Sequence, residues 1–358
     1  MTTIKRPGYT ITIEEPAVYV DNAARRRSGH MTHALAALDE RRFIDFNSNC
    51  SAVRSGGHSA FGFVEYRTSE DAGKTYSDAK VLPISWEKLM DGMQTLSVEK
   101  AVATDTGRIV AVCLTNNAVA EEICCEPWDK PFVISSDDFG KTWSGPRDFT
   151  PYPGRPYAAC YHHGTVFIMH FCNEHFLGSK PEHLYRLYCS TDNGETFTER
   201  AVIPFPDTVR RGYSALLFAP DGTLHAYAYN EADEAHTDHA VSHDEGRTWE
   251  ALDPVVTKQG LRNPQMAVLD GVFIAHGRAG DAKGFILYTS LDGTNWDEGT
   301  KIVETAFPAG AYYSNNVTLS DEKGRFLLIQ YSHPYDFTQK DWLGRVNVMH
   351  TVLRVIKP

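Results

Sequence analysis

The sequence predicts an all-β fold, a six-bladed β-propeller built from four-stranded antiparallel blades. Three observations support this prediction: a repeated turn motif, a β-hairpin pattern in every repeat, and one strand left unassigned at the amino terminus. Copies of the motif are about 50 to 65 residues apart, a period typical of propellers and other repeat arrays. All 358 residues fit a single β-propeller domain, 1–358.

The turn motif reads Ser-x-Asp-x-Gly-x-Thr-aromatic. Complete copies begin at Ser69, Ser136, Ser190 and Ser242, and a copy that has lost one residue begins at Ser290. In a tight turn the Asp carboxylate can accept backbone N–H bonds, the glycine supplies a positive φ, and the ring packs beneath the turn. We therefore interpret the motif as scaffold and not as part of a catalytic site.

Hairpin patterns mark the inner part of each repeat, with β-branched or aromatic residues on both sides of a short turn. The predicted hairpins cover 33–47, 101–115, 157–171, 214–230, 265–277 and 315–331. A third strand leads into each turn motif and a fourth follows it. Six such units give six blades of four strands.

The last unit has no turn motif, and the strand at 9–20 has no unit of its own. We expect residues 9–20 to add the outer strand of the last blade and close the ring, because closure removes exposed sheet edges. The alternative, a loose amino-terminal arm, stays open at this point.

Composition limits the possible partners and compartments. A formal net charge of −11 disfavours nucleic acid as a partner, and no apolar run is long enough to span a membrane. Residues 1–20 show no signal-peptide pattern, and the seven cysteines are irregularly spaced, which suggests a reducing compartment. We expect a cytoplasmic protein; the sequence does not determine its oligomeric state.

Long polar segments lie at the blade ends opposite the turn motifs, and loops on a rigid scaffold are where binding residues concentrate. We therefore expect the site on that face, where the inner strands begin. Counting back eight residues from each hairpin turn, and applying strand alternation, places there Met31, His33, Arg155, Tyr213, Arg262, Tyr313 and Asn315.

Four further residues flank these positions: Arg27, His30, Arg211 and Tyr312. Arginine forks bind carboxylates bidentately, so this collection of arginine, tyrosine and histidine predicts an anionic ligand. For any single arginine the alternative is a structural ion pair, for example with Glu99 or Asp336.

The repeated motif, the six-blade count and the closing strand resemble the sialidase superfamily of Asp-box six-bladed propellers, over nearly the whole chain. The resemblance implies an exo-acting glycoside hydrolase for an acidic sugar. Ala311-Tyr312-Tyr313-Ser314 looks like the Tyr-Ser stretch of that family, which makes Tyr313 the candidate nucleophile. Arg262 stands where the family has its fifth-blade arginine.

The sequence also departs from that family. Met31-Thr32-His33 replaces its Arg-Ile-Pro stretch, and Arg27 is the candidate substitute for the arginine. Tyr213 stands at the position of its fourth-blade acidic residue, where Glu231 or Asp233 could serve instead. The first-blade loop, 47–60, lacks the family's acid/base Asp and offers Arg54 and His58.

Without that Asp, a histidine is the natural proton carrier, since imidazole titrates near neutral pH. Our first hypothesis is a sialidase-like hydrolase of an acidic mono- or oligosaccharide, with no cofactor and no metal. Its predicted catalytic residues are Tyr313, His33, His58, His30 and Glu231. Its predicted substrate-binding residues are Arg27, Arg155, Arg211, Arg262, Tyr213, Tyr312 and Asn315.

Two alternatives remain open. A histidine, tyrosine and arginine set also suits a lyase acting on uronic acids, in which the arginine neutralises the carboxylate and the other groups move the protons. A non-catalytic glycan-binding propeller is the third hypothesis, because propellers with this motif include proteins that are not enzymes.

Overall fold

The computed structural model of the chain describes residues 1–30, 34–52, 62–92, 94–117, 127–336 and 344–357. It is a propeller of six antiparallel sheets, which confirms the predicted fold class. Blades two to five are four-stranded meanders in which each strand pairs with the next one along the chain.

The strands of these four blades run in sequence order. Blade two contains β9 (Gln94–Ala103), β10 (Ile109–Asn117), β11 (Phe132–Ser136) and β12 (Ser144–Asp148). Blade three contains β13 (Arg155–His162), β14 (Thr165–Cys172), β15 (Leu184–Ser190) and β16 (Thr198–Val202). Blade four contains β17 (Arg211–Phe218), β18 (Leu224–Asn230), β19 (His236–Ser242) and β20 (Glu250–Val256). Blade five contains β21 (Arg262–Leu269), β22 (Val272–Arg278), β23 (Gly284–Ser290) and β24 (Thr300–Glu304).

Blade one has a divided inner strand. The pieces β4 (Arg27–Ser28) and β5 (Leu35–Ala37) both pair with β6 (Phe43–Ser51), which is followed by β7 (Gly62–Ser69) and β8 (Lys80–Val81). A helix that the sequence reading did not predict, α1 (Pro83–Gly92), leads from blade one to blade two. Proline suits its first position because that N–H would have no helical partner. No helix among the described residues is long and apolar enough to cross a membrane.

The amino-terminal strand closes the ring as predicted. Blade six is formed by β25 (Ser314–Asp321), β26 (Gly324–Ser332) and β27 (Val348–Ile356). Both β2 (Tyr9–Ile13) and β3 (Ala17–Val20) pair with β27 as its outer neighbour. One feature was not predicted: β1 (Thr2–Arg6) forms a hairpin with β2 and extends this sheet outwards.

The inner strands contact one another around the whole circle, in the order β5, β9, β13, β17, β21, β25 and back to β5. Apolar side chains fill the wedges between neighbouring blades. Between blades five and six, for example, Ile274 and Leu287 pack with Leu327 and Leu353, and Ile11 of the closing strand joins them. Closure therefore buries apolar surface as well as pairing a sheet edge.

The turn motifs hold the blade ends rigid. In the second copy, Gly140 N–H donates to Ser136 Oγ (2.8 Å) and Thr142 N–H donates to Asp138 Oδ1 (2.9 Å). The hydrogen bonds from Thr142 hold the pKa of Asp138 down at about 2. Tyr66 of blade one donates to Gly140 O (2.7 Å), so this turn also joins two blades.

Candidate functional site

A cavity lies at the ends of the inner strands that face away from the turn motifs. In blade three, for example, Arg155 begins β13 in this cavity, whereas the turn motif at Ser190 pairs with Val166 at the far end of β14. The described residues that line the cavity come from blades two to six. They are Val98, Glu99, Lys100, Arg155, Tyr157, Tyr213, Asn263, Gln265, Tyr313, Ser314 and Asn315.

Irregularities in the inner strands aim these side chains. The pairing register of the inner strand shifts in each of blades two to five: at Glu99, at Tyr157, between Arg211 and Ser214, and between Arg262 and Gln265. A β-bulge breaks the strict alternation of side chains, so neighbouring residues can point to the same side. This is why Glu99 and Lys100, which are consecutive, both line the cavity.

Two phenols meet at the wall of the cavity. Tyr213 Oη and Tyr313 Oη are 3.2 Å apart, and the His30 ring contacts Tyr313 edge-on with ring centres 4.9 Å apart. Burial, and then the nearby Tyr313, raise the pKa of Tyr213 well above its usual value. Tyr213 therefore keeps its proton at neutral pH and can donate a hydrogen bond to Tyr313, but it cannot act as a base.

Arg155 is anchored before any ligand binds. Its Nε donates to Glu99 Oε2 (2.7 Å), and Ser97 Oγ donates to Glu99 Oε1 (2.5 Å). Its guanidinium also lies over the ring of Trp128, 5.4 Å from the ring centre. Arg155 thus forms the structural ion pair with Glu99 that the sequence left open, while its side chain still lines the cavity.

Arg262 differs from Arg155 because its side chain makes no hydrogen bond or ion pair with any described residue, and its Nε is buried. The guanidinium lies 5.2 Å from the ring centre of Phe176 and 5.5 Å from that of Tyr229. Burial lowers the pKa of Arg262, but the neighbouring phenols and the carboxylate of Glu234 outweigh burial and raise it. Arg262 is a permanent cation that interacts electrostatically with the tyrosine pair, but it is not among the described residues that line the cavity.

Polar side chains from three blades form the floor of the cavity. The Lys100 ammonium donates to Gln265 Oε1 and to Asn315 Oδ1, the latter at 2.9 Å. The same three residues also border the central channel on their other side, so they separate the cavity from the channel.

Several predicted site residues lie elsewhere. Arg211 forms a buried ion pair with Asp238 (2.5 Å), and Glu231 pairs with Arg210 (2.6 Å) on an exposed loop. Arg27 donates to Asn49 Oδ1 (2.6 Å) in blade one. None of Arg211, Glu231 and Arg27 lines the cavity among the described residues.

Tyr312 needs a correction, because it cannot contact a ligand. Its side chain is fully buried and stacks on Phe285 with ring centres 5.7 Å apart. Tyr312 has a φ of 67°, and the chain turns there before β25 begins. Tyr312 and Tyr313 consequently point to different environments, the core and the cavity.

The predicted proton carriers are only partly described. His33 and His58 lie outside the described residues, as do Met31 and Arg54. His30 is buried, and its Nε2 lies 3.2 Å from Tyr335 Oη. The identity of the acid/base residue therefore stays a prediction. Within the described ranges no group of three or more His, Cys, Asp or Glu is arranged to hold a metal.

The lining residues that sequence reasoning missed include Lys100, Tyr157, Asn263 and Gln265. One signal was available for two of the bulges, since Pro156 and Pro264 lie inside inner strands and prolines in sheets are confined to edges, strand starts and bulges. For Lys100 the only signal was a pair of charged residues, Glu99-Lys100, within a strand that has no other charged residue.

Comparison with known proteins shows the fold and not the activity. No family profile matches the sequence, and no curated protein matches it. A protein of unknown function from Dyadobacter fermentans superposes with a TM-score of 0.73 at 14% identity, covering 98% of this chain and 100% of the other.

Sialidases are also similar in structure. Hadza microbial sialidase Hz136 gives a TM-score of 0.67 at 13% identity, covering 96% of this chain and 68% of its own. The NanB sialidase from Streptococcus pneumoniae gives 0.64 at 11% identity, covering 94% and 70%. These likenesses confirm, at the level of fold, the resemblance predicted from the repeats.

Proposed function

We propose that this chain, which has the six-bladed propeller fold of the sialidases, is an exo-acting glycoside hydrolase for an acidic sugar. The observation that carries the proposal is the position of Tyr313: its phenol lines the cavity and interacts electrostatically with Arg262, a cation with no ion-pair partner among the described residues. The floor formed by Lys100, Gln265 and Asn315 favours action at a chain end, because it closes the described part of the cavity towards the central channel.

In the proposed reaction Arg155 and Arg262 bind the carboxylate of the sugar, and the Tyr313 oxygen attacks the anomeric carbon. A phenol suits this role because a carboxylate nucleophile would be repelled by an anionic sugar. The Tyr313 oxygen bonds to the anomeric carbon as the glycosidic C–O bond breaks, and the proton that the phenol loses passes through the acid/base residue to the leaving oxygen. Water then attacks the same carbon, the bond to Tyr313 breaks, and a proton from the water returns to the phenol. A structure of the Trypanosoma rangeli sialidase with 2,3-difluorosialic acid is described as a covalent intermediate of that enzyme.

The Tyr213–Tyr313 pair gives a specific reason to keep a second candidate, a lyase for uronic acids. Tyr313 hydrogen bonds to a phenol that cannot act as a base, and not to a carboxylate. In a lyase the Tyr313 hydroxyl would pass its own proton towards the leaving oxygen and take the proton next to the sugar carboxylate. The C–O bond on the next carbon would then break, a C=C bond would form, and the leaving oxygen would be protonated.

One assay separates these activities. The protein is incubated with fluorogenic sialosides and uronides and with acidic oligosaccharides, while reducing ends and near-ultraviolet absorbance are recorded. A hydrolase releases sugar without new absorbance, whereas a lyase produces an unsaturated, absorbing product. Cleavage of neutral glycans alone would contradict the acidic-sugar proposal, and binding without turnover would indicate a glycan-binding protein.

The first prediction concerns two adjacent tyrosines. Tyr313→Phe should lower kcat by at least about 100-fold, because it removes the reacting oxygen. Tyr312→Phe is the matched control: it is the same change one residue away, at a side chain buried in the core. The measurement is kcat and KM for both variants on the active substrate. Equal activity of the Tyr313 variant and the wild type would rule out this residue as nucleophile or base.

A further inference from the structure

The Lys100 ammonium has no acidic partner in contact with it. An ammonium carries three donors, and two of them go to the amide oxygens of Gln265 and Asn315. Among the described residues no carboxylate is bonded to Lys100. The third donor is therefore available at the floor of the cavity.

The adjacent carboxylate of Glu99 acts on Lys100 through its charge, but its own hydrogen bonds go to other residues. One oxygen accepts from Ser97 and the other from Arg155. Arg155 is thus neutralised by Glu99, and Lys100 is left as the lining cation without a bonded counter-ion. Enclosing an unpaired charge is unfavourable, and a bound anion would relieve that cost. This excess of positive charge stands out in a chain whose net charge is −11.

We infer that Lys100 binds the acidic group of the substrate and makes the cavity selective for acidic over neutral sugars. This inference rests on the proposed function in one respect, which is that the cavity is the substrate site. It assigns to Lys100, at the floor of the cavity, a role in specificity that the arginines of the site do not fill.

The titration of Lys100 predicts that affinity for an acidic ligand depends on pH. Burial lowers the pKa of Lys100 to about 7, with Glu99 opposing this effect and Arg155 adding to it. The other groups that face it do not change charge near pH 7: burial lowers the pKa of His276 to about 3, and Tyr213 stays protonated. Anion binding needs the protonated amine, so affinity should be full below about pH 7 and fall above it, with proton uptake on binding.

The test is calorimetric binding to the full chain, using pairs of probes that differ only in charge. Suitable pairs are glucuronic acid with glucuronamide, and N-acetylneuraminic acid with its methyl ester. In the wild type the acid should bind more tightly than its neutral partner. Lys100→Met should weaken binding of the acid by about ten- to one-hundredfold and leave the neutral partner unchanged. Lys258→Met is the control, since this exposed lysine pairs with Glu298 and does not line the cavity.

A second variant tests whether Lys100 contributes its charge or has only a structural role. Gln265→Glu keeps the size of the side chain and gives Lys100 a permanent counter-ion. It should abolish the preference for the acid while the ammonium and the fold remain. If Lys100 only bridged the blades, Lys100→Met would weaken binding of the acid and of its neutral partner alike. At pH 8, the wild type should take up protons on binding the acid and Lys100→Met should not, as measured in two buffers of different ionisation enthalpy.

The outcomes separate this inference from the proposed function. Acid-selective binding that depends on Lys100, without turnover of any glycan, supports the inference and contradicts the hydrolase. Turnover with an unchanged KM in Lys100→Met supports the hydrolase and overturns the inference. A wild-type protein that shows no preference for the acid over its neutral partner also overturns the inference.

Discussion

Glu99 controls how much positive charge the cavity presents to a ligand. Its two oxygens hold Ser97 and Arg155, so it orients the guanidinium and also cancels its charge. A competing carboxylate of this kind lowers affinity for an anionic ligand, since the ligand must share the cation. The same contact keeps Arg155 in one position against Trp128, ready for a bidentate partner.

A second prediction follows for this residue. Glu99→Gln should tighten binding of a sugar acid by about three- to tenfold, because it removes one negative charge at close range. The measurement is the Kd of the acid and its neutral analogue in both proteins. Weaker binding of the acid would show that the orientation of Arg155 matters more than its net charge. A large fall in kcat with unchanged Kd would show instead that Glu99 takes part in the chemistry.

Adjacent residues can have unrelated roles, and the sequence does not reveal this. Tyr312 and Tyr313 are the same residue type, yet one is core and the other lines the cavity. The difference comes from the positive φ of Tyr312, which strand alternation counted from the hairpin turn does not include. Arg211 is a similar case, because its partner Asp238 lies 27 residues away on another strand of the blade.

At the scale of the elements, the inner strands and the turn motifs have different roles. Bulges in four inner strands aim residues into the cavity, whereas the turn motifs fasten neighbouring blades at the other end. Tyr66 donates across the first junction to Gly140 O, and Tyr227 donates across a later one to Gly293 O (2.7 Å in each case). The glycine carbonyl of a turn motif thus serves as an anchor for the preceding blade.

A third prediction tests this anchor. Tyr66→Phe should lower the free energy of unfolding by about 1 to 2 kcal/mol, because a buried carbonyl loses its partner. Tyr161→Phe is the control, since that hydroxyl lines the central channel. Urea denaturation of both variants gives the comparison. An equal effect of the two substitutions would argue against a role for the turn motif in joining blades.

For the whole molecule, closure depends on a buried polar junction between the amino-terminal strand and blade one. The Asp45 carboxylate of β6 is fully buried and accepts hydrogen bonds from Tyr19 of β3 and from Asn47 Nδ2 (2.7 Å). The Tyr19 ring stacks on His350 of β27, 3.8 Å between ring centres. Burial raises the pKa of Asp45 to about 7.

A fourth prediction follows from the sign of this shift. The folded protein keeps a proton on Asp45 that the unfolded chain releases near pH 4. The stability from this group is therefore present below about pH 4, decreases as pH rises towards 7, and then levels off. Relative to Asp45→Asn, the wild type should lose up to about 1.4 kcal/mol for each pH unit in that range.

The measurement is the free energy of unfolding of both proteins between about pH 5 and pH 8. Asp253→Asn, an exposed change in blade four, is the control. Parallel stability curves for the wild type and Asp45→Asn would show that Asp45 is not protonated in the folded protein.

The sequence alone determined the propeller, its six blades and its closing strand. These depend on local patterns: Ser-x-Asp-x-Gly turns, two-residue hairpins and the alternation of apolar residues, each encoded within a few neighbouring positions. The sequence also placed four residues at the face opposite the turn motifs, Arg155, Tyr213, Tyr313 and Asn315, and these four line one cavity.

Only the tertiary structure decided which charges are paired. Glu99 with Arg155, Arg211 with Asp238, and Lys100 with Gln265 and Asn315 are contacts between residues far apart in the chain. Bulges shift the register by one residue, and each shift changes which side chain faces the cavity. The availability of a cation to a ligand depends on these long-range contacts, so it becomes visible only when the blades are brought together in the ring.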